Sequence, residues 1–555
     1  MTSILQAYLS LPPSSQDTKQ ILQSIINAIP SCFDSSTRTQ LITALLGDIQ
    51  STFSDDSKSR LAQQDAATAL LAVKTLGRDP SGSERLSEAA TLSKLLSLTK
   101  ILIERNDINA ASEALRCIAN TMVLFPDARV TFISDEVNGG EVAVSMLHGT
   151  TTPDLIFVLS RILFFTTVSQ NAFVQSLVED ERENGRTAVD IIVSKLEFTL
   201  ASIMEGSKMG RDAMSELLKF AFNLLLHYPK MVESDPQTSI QDGTKVMGDF
   251  WSSKLDGTLP PLLKIYHTLP SASSVPLDGP LTNVIHTLIT IPISPSLRPI
   301  WFEEQNGDHH DVLMRTFHLL DSSFSLFFPS NTSPDDEKIR ESFKQTLLST
   351  SISPDTSPDD LLTPLVVLCT RLCLAEEECK NRIRDWIIPE NLDRTDPLDE
   401  RKDFLGRCLR LLGSVYHTGL KSAVGEMLFA VADQDATTMS TLFGYGHVAG
   451  FLFEKDFKSP PPSNTASSAP QASSADRREV NPITGTFVTE ESKAKSPGDD
   501  MTPEEKEREM EKLFVLFDRL EKTGSLPPDQ NPMRKIIQKS MEQGGSGTEP
   551  RDDDD

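Results

Sequence analysis

Positive charge is what this 555-residue chain lacks most: 53 Lys and Arg stand against 79 Asp and Glu, a formal net charge of −26. Nucleic acids and anionic membrane surfaces are bound by basic faces, so neither is expected as the main partner. No stretch reaches the roughly 18 apolar residues of a membrane span, so no transmembrane segment is expected. The first residues, MTSILQAYLSLPPSSQDTKQ, have neither a basic region nor a long apolar run, so no signal peptide is expected either. Cysteines are few: Cys32, Cys117, Cys369, Cys373, Cys379 and Cys408. That density excludes a disulfide scaffold, and the expectation is reduced, buried thiols in a cytosolic protein. The Asn331-Thr332-Ser333 sequon then has no consequence.

Motifs that make or break bonds are also missing. No GxxxxGK[ST] phosphate loop, HExxH helix or CxxC pair occurs. The three thiols of CTRLCLAEEEC, Cys369 to Cys379, match no common zinc spacing and read as core residues. His309-His310 lies in a polar loop without a clear ligand set. GYGHVAG, Gly444 to Gly450, follows a helical run rather than a strand, so it reads as a tight interhelical turn and not a dinucleotide fingerprint. No nucleophile, base and oxyanion hole assemble. Neither a catalytic residue nor a cofactor is expected, although an enzyme with an unseen motif stays open.

What is present is helix after helix. Through about residue 455, apolar residues recur at three- and four-residue spacing between Pro, Asp, Ser and Gly breaks. The expected fold class is all-α, an armadillo/HEAT-like α-solenoid. Glu113 to Pro126 (EALRCIANTMVLFP) and Glu216 to Pro229 (ELLKFAFNLLLHYP) share one frame: Glu, x, Leu, basic, then Asn four residues on. AVKTLGRDP and LSRILFF fit it more loosely. The frame aligns Lys74, Arg116, Arg161 and Lys219, with Arg78, Asn120, Phe165 and Asn223 four residues later. The first two spacings match armadillo and HEAT units, and EDERENGR reads as a polar loop inserted in the third. Residues four apart share a helix face, so stacked units would line up a ladder of basic, amide and aromatic groups. Such a ladder suits a peptide or helix carrying carboxylates and apolar anchors. The plainer reading is a solvated helix face.

A Ser/Pro/Ala-rich linker then separates this body from VNPITG, Val480 to Gly485, and from MTPEEKEREMEKLFVLFDRLEKTG. Thr502 and Glu505 form a capping box, Pro503 suits the first turn, and Gly524 ends the pattern. Met510, Leu513, Phe514 and Phe517 make an apolar stripe on a helix of about 20 residues, ~30 Å long. The expected divisions are 1–457 helical repeats, 458–479 linker, 480–524 turn and amphipathic helix, and 525–555 a mostly disordered acidic tail.

VNPITG, its spacer and the helix after it together resemble the C-terminal signature of the synembryn family. These are cytosolic exchange factors and folding chaperones of heterotrimeric G-protein α subunits (Gα). TLFGYGHVAGFL resembles the family's Gly-Tyr-Gly turn before its last solenoid helix. EALRCIAN, ELLKFAFN and KTLGRD resemble its armadillo units. RIRDWIIPENLD resembles its late Leu-Pro-Pro segment, with Pro389 kept and Glu390 in place of the next Pro. The likeness covers nearly the whole chain, and the Ser/Pro-rich linker resembles that of a fungal-type member.

The resemblance implies an armadillo-like solenoid whose concave face takes the C-terminal helix of Gα. GDP leaves, and nucleotide-free Gα is held until GTP binds. Carried onto this sequence, Lys74 and Arg78 are similar to the family's basic pair, with Lys74 in place of an Arg and so less suited to bidentate contact. Asn120, Phe165, Phe222 and Asn223 fall on or beside the ladder of Arg116, Arg161 and Lys219. Met510, Leu513, Phe514 and Phe517 would brace the Ras-like domain of Gα. The resemblance further implies a monomer, a cytoplasmic location and access to the cell cortex through Gα. Animal relatives carry acidic phosphorylated clusters in the linker. Here SNTASSAPQASSADRRE has almost no acid, leaving Ser459, Ser496 and Thr502 as proline-directed candidates. The rival reading is an armadillo adaptor for an acidic or apolar peptide, without exchange activity.

Overall fold

The structure, a computed structural model, describes residues 4–13, 15–28, 32–53, 59–182, 185–232, 251–270, 275–302, 312–329, 331–348, 350, 352–353, 355–457, 480–481 and 484–487. The chain divides into two units, Met1–Ala469 with Pro482–Gly485, and Pro470–Asn481 with Thr486–Asp555. Among the described residues the first unit is all-helical, as the periodicity leads one to expect.

It opens with α1 (Ile4–Leu9), α2 (Thr18–Asn27) and α3 (Ser35–Phe53). Next come α4 (Ala66–Leu76), α5 (Ala89–Glu104), α6 (Ile108–Leu124), α7 (Asp127–Ile133), α8 (Gly139–Gly149) and α9 (Pro153–Thr166), then α10 (Ala172–Glu179), α11 (Ala188–Met204) and α12 (Lys208–Val232). The later half holds α13 (Leu259–Thr268), α14 (Leu281–Leu288), α15 (Arg298–Trp301), α16 (Val312–Phe327), α17 (Glu337–Leu347) and α18 (Pro358–Ala375). It ends with α19 (Glu377–Ile387), α20 (Phe404–Leu412), α21 (Thr418–Val431), α22 (Ala436–Phe443) and α23 (Tyr445–Glu454).

Helix starts follow from side-chain oxygens that accept otherwise unbonded first-turn amides. Asp107 accepts the Ala110 amide at the head of α6, and Asn171 accepts Val174 at α10. Thr187 and Asp190 form a reciprocal capping box on α11, and Ser357 and Asp360 do so on α18, where Pro358 fills the first position. The repeat frame ends differently in its two clearest copies. α6 stops before Pro126, whereas α12 continues through Pro229 to Val232.

One row runs through the unit: α4 packs on α6, α6 on α9, α9 on α12, α12 on α14, α14 on α18 and α18 on α21. Small residues let these helices approach closely. α6 buries Ala110, Ala111, Ala114 and Ala119 along with Leu115, Ile118 and Met122. Each fully buried Leu, Ile or Met contributes roughly 1.5–3 kcal/mol relative to exposure. The apolar core is continuous from Leu5 to Leu452, the expected form for stacked repeats that each bury a face against the next.

Two expectations are corrected. α4 ends at Leu76 with Gly77 as its cap, so Arg78 lies beyond the helix and does not share a helical face with Lys74. Pro80 is the cause: it biases Asp79 away from the helical region, and the chain turns two residues earlier. Cys32 is exposed, while the other five cysteines are buried. Burial pushes the Cys117 and Cys373 thiols up to about 12, and Cys369 and Cys408 rise as well, so these sulfurs stay protonated core atoms.

In the second unit, Val480 and Phe487 form an isolated antiparallel bridge, and the Asn481 amide donates to the Thr486 carbonyl at 2.8 Å.

Candidate functional site

The four basic residues of the repeat frame sit on four successive helices of the row. Lys74 is in the last turn of α4, Arg116 is on α6, Arg161 on α9 and Lys219 on α12. The structure thus brings together what the spacing aligned. It also supplies carboxylates that the basic ladder left out. Lys74 Nζ lies 2.5 Å from Glu113 on the next helix, and Glu113 also holds Arg116 at 2.9 Å. The other guanidinium nitrogen of Arg116 donates to Asp154, in the first turn of α9, at 2.5 Å. Further along, Glu216 accepts Arg161 at 3.0 Å and Lys219 at 2.9 Å.

The row is therefore two chains of shared ion pairs, Lys74–Glu113–Arg116–Asp154 and Arg161–Glu216–Lys219. The first balances two cations with two carboxylates. The second has two cations sharing one carboxylate, with the carboxylates of Asp212 and Asp360 lining the cavity beside them. Glu216 is the fixed centre of that cluster, with its side chain 5% exposed against 41% for Arg161 and 40% for Lys219. A carboxylate that loses water on burial must be paired. Its two partners can still turn outward to a ligand.

The remaining ladder positions separate into two kinds. Asn120 and Phe222 are half-buried, and Arg78 is exposed beyond α4. Phe165 packs against Phe164 with ring centroids 5.4 Å apart and lies under the Arg129 guanidinium at 5.5 Å. Arg161 covers Phe157, a residue outside the frame, at 4.8 Å, so cation and aromatic surface adjoin there. Asn223 differs. It is buried, and its amide donates to the Phe164 carbonyl at 3.0 Å and to Thr167 Oγ1 at 3.2 Å, holding the end of α9.

Beside the second cluster lies a cavity of about 670 Å³ at the junction of α9, α12, α14 and α18, lined by Arg161, Glu216, Lys219, Asn283, His286 and Asp360 among others. His286 Nδ1 is 2.8 Å from the Thr282 carbonyl, which can only accept, so Nδ1 carries the proton. Burial pulls His286 below the usual histidine range despite that bond and nearby Asp360. The ring is thus neutral near pH 7 and adds no charge to the site. Among the described residues no group of three or more His, Cys, Asp or Glu could hold a metal ion, and no helix is long and apolar enough to cross a membrane.

Glu113, Asp154 and Glu216 are the site residues that sequence reading passed over. A signal was available, because Glu113 and Glu216 open the shared frame three residues before the basic position, the spacing of a helical ion pair. Met510, Leu513, Phe514 and Phe517, and Ser459, Ser496 and Thr502, lie outside the described residues, as do His309 and His310.

The family model described as guanine nucleotide exchange factor synembryn matches residues 69–541. A synembryn-like chaperone of Schizosaccharomyces pombe is 29% identical over 186 residues, 32% of this chain and 34% of that protein. Chaperone Ric-8A of Xenopus laevis is 25% identical over 174 residues, 30% of this chain and 32% of its own. Chaperone Ric-8A of Pongo abelii is 22% identical over 488 residues, 83% of this chain and 82% of its own. The chain thus matches about a third of the length of the first two relatives and about four-fifths of the third. With the family match running from residue 69 to residue 541, most of its length, the chain belongs to the synembryn family.

Proposed function

We propose that this protein is a folding chaperone and non-receptor guanine nucleotide exchange factor for the α subunit of a heterotrimeric G protein, and that it has no catalytic residue of its own. Family membership supports the partner class. The observation that carries the reading to a site is the pair of ion-pair chains on α4, α6, α9 and α12, with the half-exposed Arg161 and Lys219 sharing one buried carboxylate and Arg161 lying over Phe157.

The C-terminal helix of Gα lies along that row, in the groove of the solenoid. Its carboxylates exchange partners with Arg161, Lys219, Lys74 and Arg116, the exposed Arg78 adds a cation at one end, and Asn120, Phe165 and Phe222 complete the contact. Exchanging one carboxylate for another changes the electrostatic energy little, so orientation and apolar contact set affinity. Drawing this helix from its packed position loosens the nucleotide pocket. GDP release then needs only differential affinity: moving Gα from about 1% to 99% open takes roughly 10⁴-fold tighter binding of the open state. The 502–524 helix, through Met510, Leu513, Phe514 and Phe517, braces the displaced Ras-like domain. The protein acts as a monomer in the cytoplasm and reaches the cell cortex through Gα.

The test is GDP release from purified Gα with the full chain and with a chain ending at residue 478. Acceleration by the full chain alone supports both the exchange activity and the role of the C-terminal segment. Binding of a Gα C-terminal peptide without acceleration supports an adaptor instead.

A further inference from the structure

Two glycine motifs that partner binding does not absorb meet one another. Gly444 closes α22 and opens α23, with φ at +84°, and Gly485 ends the VNPITG hexamer with φ at +71°. Pro482–Gly485 belongs to the same unit as these helices. A Cβ on Gly444 would stand 2.6 Å from the carbonyl carbon of Thr484 and 2.7 Å from the Gly485 nitrogen. A Cβ on Gly485 would stand 2.8 Å from Leu398 Cδ1 and 3.1 Å from the Gly444 nitrogen. Backbone rests on backbone, and both conformations lie in the left-handed region where a side chain is strained.

Arg394 fastens the contact. Its Nη1 donates to the Gly485 carbonyl at 2.6 Å and its Nη2 to the Leu442 carbonyl at 3.0 Å. Arg394 is 9% exposed, and burial pulls its pKa down. The planar guanidinium matches two carbonyls at once, and its charge strengthens both bonds. Capping α22 alone requires only the bond to Leu442. The second bond and the paired glycines specify one register for the hexamer, because a slip of one residue brings a Cβ into the contact.

We propose that Arg394, Gly444 and Gly485 form a clasp that fixes the point from which the C-terminal segment begins, and that this segment's hold on the partner depends on the clasp. The proposal rests on the Gα reading above. Arg394 is then a positioning residue. About 17 residues separate Gly485 from Thr502, against about 45 counted from Phe457. At ~3.5 Å per residue the maximum reach is roughly 60 Å rather than roughly 160 Å. A tether's effective concentration falls roughly as the −3/2 power of its length, so the clasp is worth about fourfold in affinity.

The experiment uses the full chain with Gly485→Ala and Arg394→Met. The control is Gly450→Ala, where an added methyl group meets nothing within 4 Å. Three quantities are measured: hydrogen exchange across residues 480–487, affinity for a Gα C-terminal peptide, and affinity for intact nucleotide-free Gα. The expected result is faster exchange at 484–487 in both variants, peptide affinity within twofold of wild type, and affinity for intact Gα lowered about fourfold or more. The control matches wild type throughout. Unchanged hydrogen exchange overturns the clasp. Faster exchange with intact-Gα affinity at the wild-type level overturns its positioning role. A wild-type chain that binds no Gα overturns the functional reading and this role together. That failure appears in the wild type itself, whereas failure of the clasp appears only between variant and wild type.

Discussion

Glu216 on α12 holds Arg161 of α9 at 3.0 Å from a position where only 5% of its side chain reaches solvent. The same carboxylate holds Lys219, so one buried acid keeps two half-exposed cations in place. Glu216→Gln removes that charge. Because Arg161 and Lys219 can turn to water, the expected loss in urea unfolding is moderate, about 1–2 kcal/mol. The variant leaves Arg161 and Lys219 without their shared carboxylate. It should therefore bind a carboxylate-rich Gα C-terminal peptide more tightly than wild type, with steeper salt dependence. Weaker binding would mean that Glu216 chiefly orients the cations rather than competing for them.

The two ladder asparagines should behave differently. Asn223→Ala removes an amide that bonds the Phe164 carbonyl and Thr167 Oγ1, and should cost about 1–3 kcal/mol of stability. Asn120→Ala breaks no side-chain hydrogen bond among the described residues and should leave stability within about 0.5 kcal/mol while weakening peptide binding. Thermal unfolding and fluorescence anisotropy on both variants check this. Equal destabilisation of the two would contradict the division.

This contrast shows what was legible in the sequence. Three- and four-residue periodicity reported the helices because it is a local property. The spacings of Lys74, Arg116, Arg161 and Lys219 placed them on consecutive helices of one row because each repeat is a stacking unit. The carboxylates were overlooked although Glu113 and Glu216 stand three residues ahead of Arg116 and Lys219. Attention to one sign of charge concealed a pattern made of both. Arg78 failed because helix termination at Gly77 and Pro80 overrides a four-residue spacing. The Arg394–Gly485 contact was out of reach because its partners are far apart in sequence and only the folded unit joins them. The two motifs were visible separately, as a turn and as a compact hexamer.

Arg38 on α3 is a stability prediction. Its side chain is 2% exposed, pairs with Asp79 at 2.8 Å, and donates to the carbonyls of Phe33 and Ser81. Arg38→Met leaves the Phe33 and Ser81 carbonyls without this donor and takes the ion pair from Asp79, which still accepts the Ser81 amide, and should destabilise the chain by about 2 kcal/mol. Hydrogen exchange should rise across 33–53 and 79–82, and urea unfolding gives the magnitude. A loss below about 0.5 kcal/mol would contradict a structural role for this network.

Asp433 gives a pH prediction. Burial pushes its carboxyl up, but hydrogen bonds from Lys380 and Arg384, at 2.6 and 2.7 Å, outweigh it and hold the group below its ordinary 3.8. A depressed carboxylate contributes stability that is present above its unfolded pKa and is lost as pH falls through the folded value. Asp433 also has φ at +58°, a conformation that Asn tolerates, so Asp433→Asn removes the charge with little backbone strain. The gap in unfolding free energy between wild type and variant should be constant above about pH 5 and shrink below about pH 4. A gap unchanged down to pH 3 would show that the ion pairs do not stabilise this corner.

GDP release from purified Gα, followed with the full chain and with the chain ending at residue 478, tests the proposed activity most directly. The full chain should accelerate release severalfold or more, and the shortened chain should bind the Gα C-terminal peptide through the helical row yet leave release near its intrinsic rate. Equal acceleration by both would contradict the role given to the C-terminal segment, and acceleration by neither would contradict exchange itself.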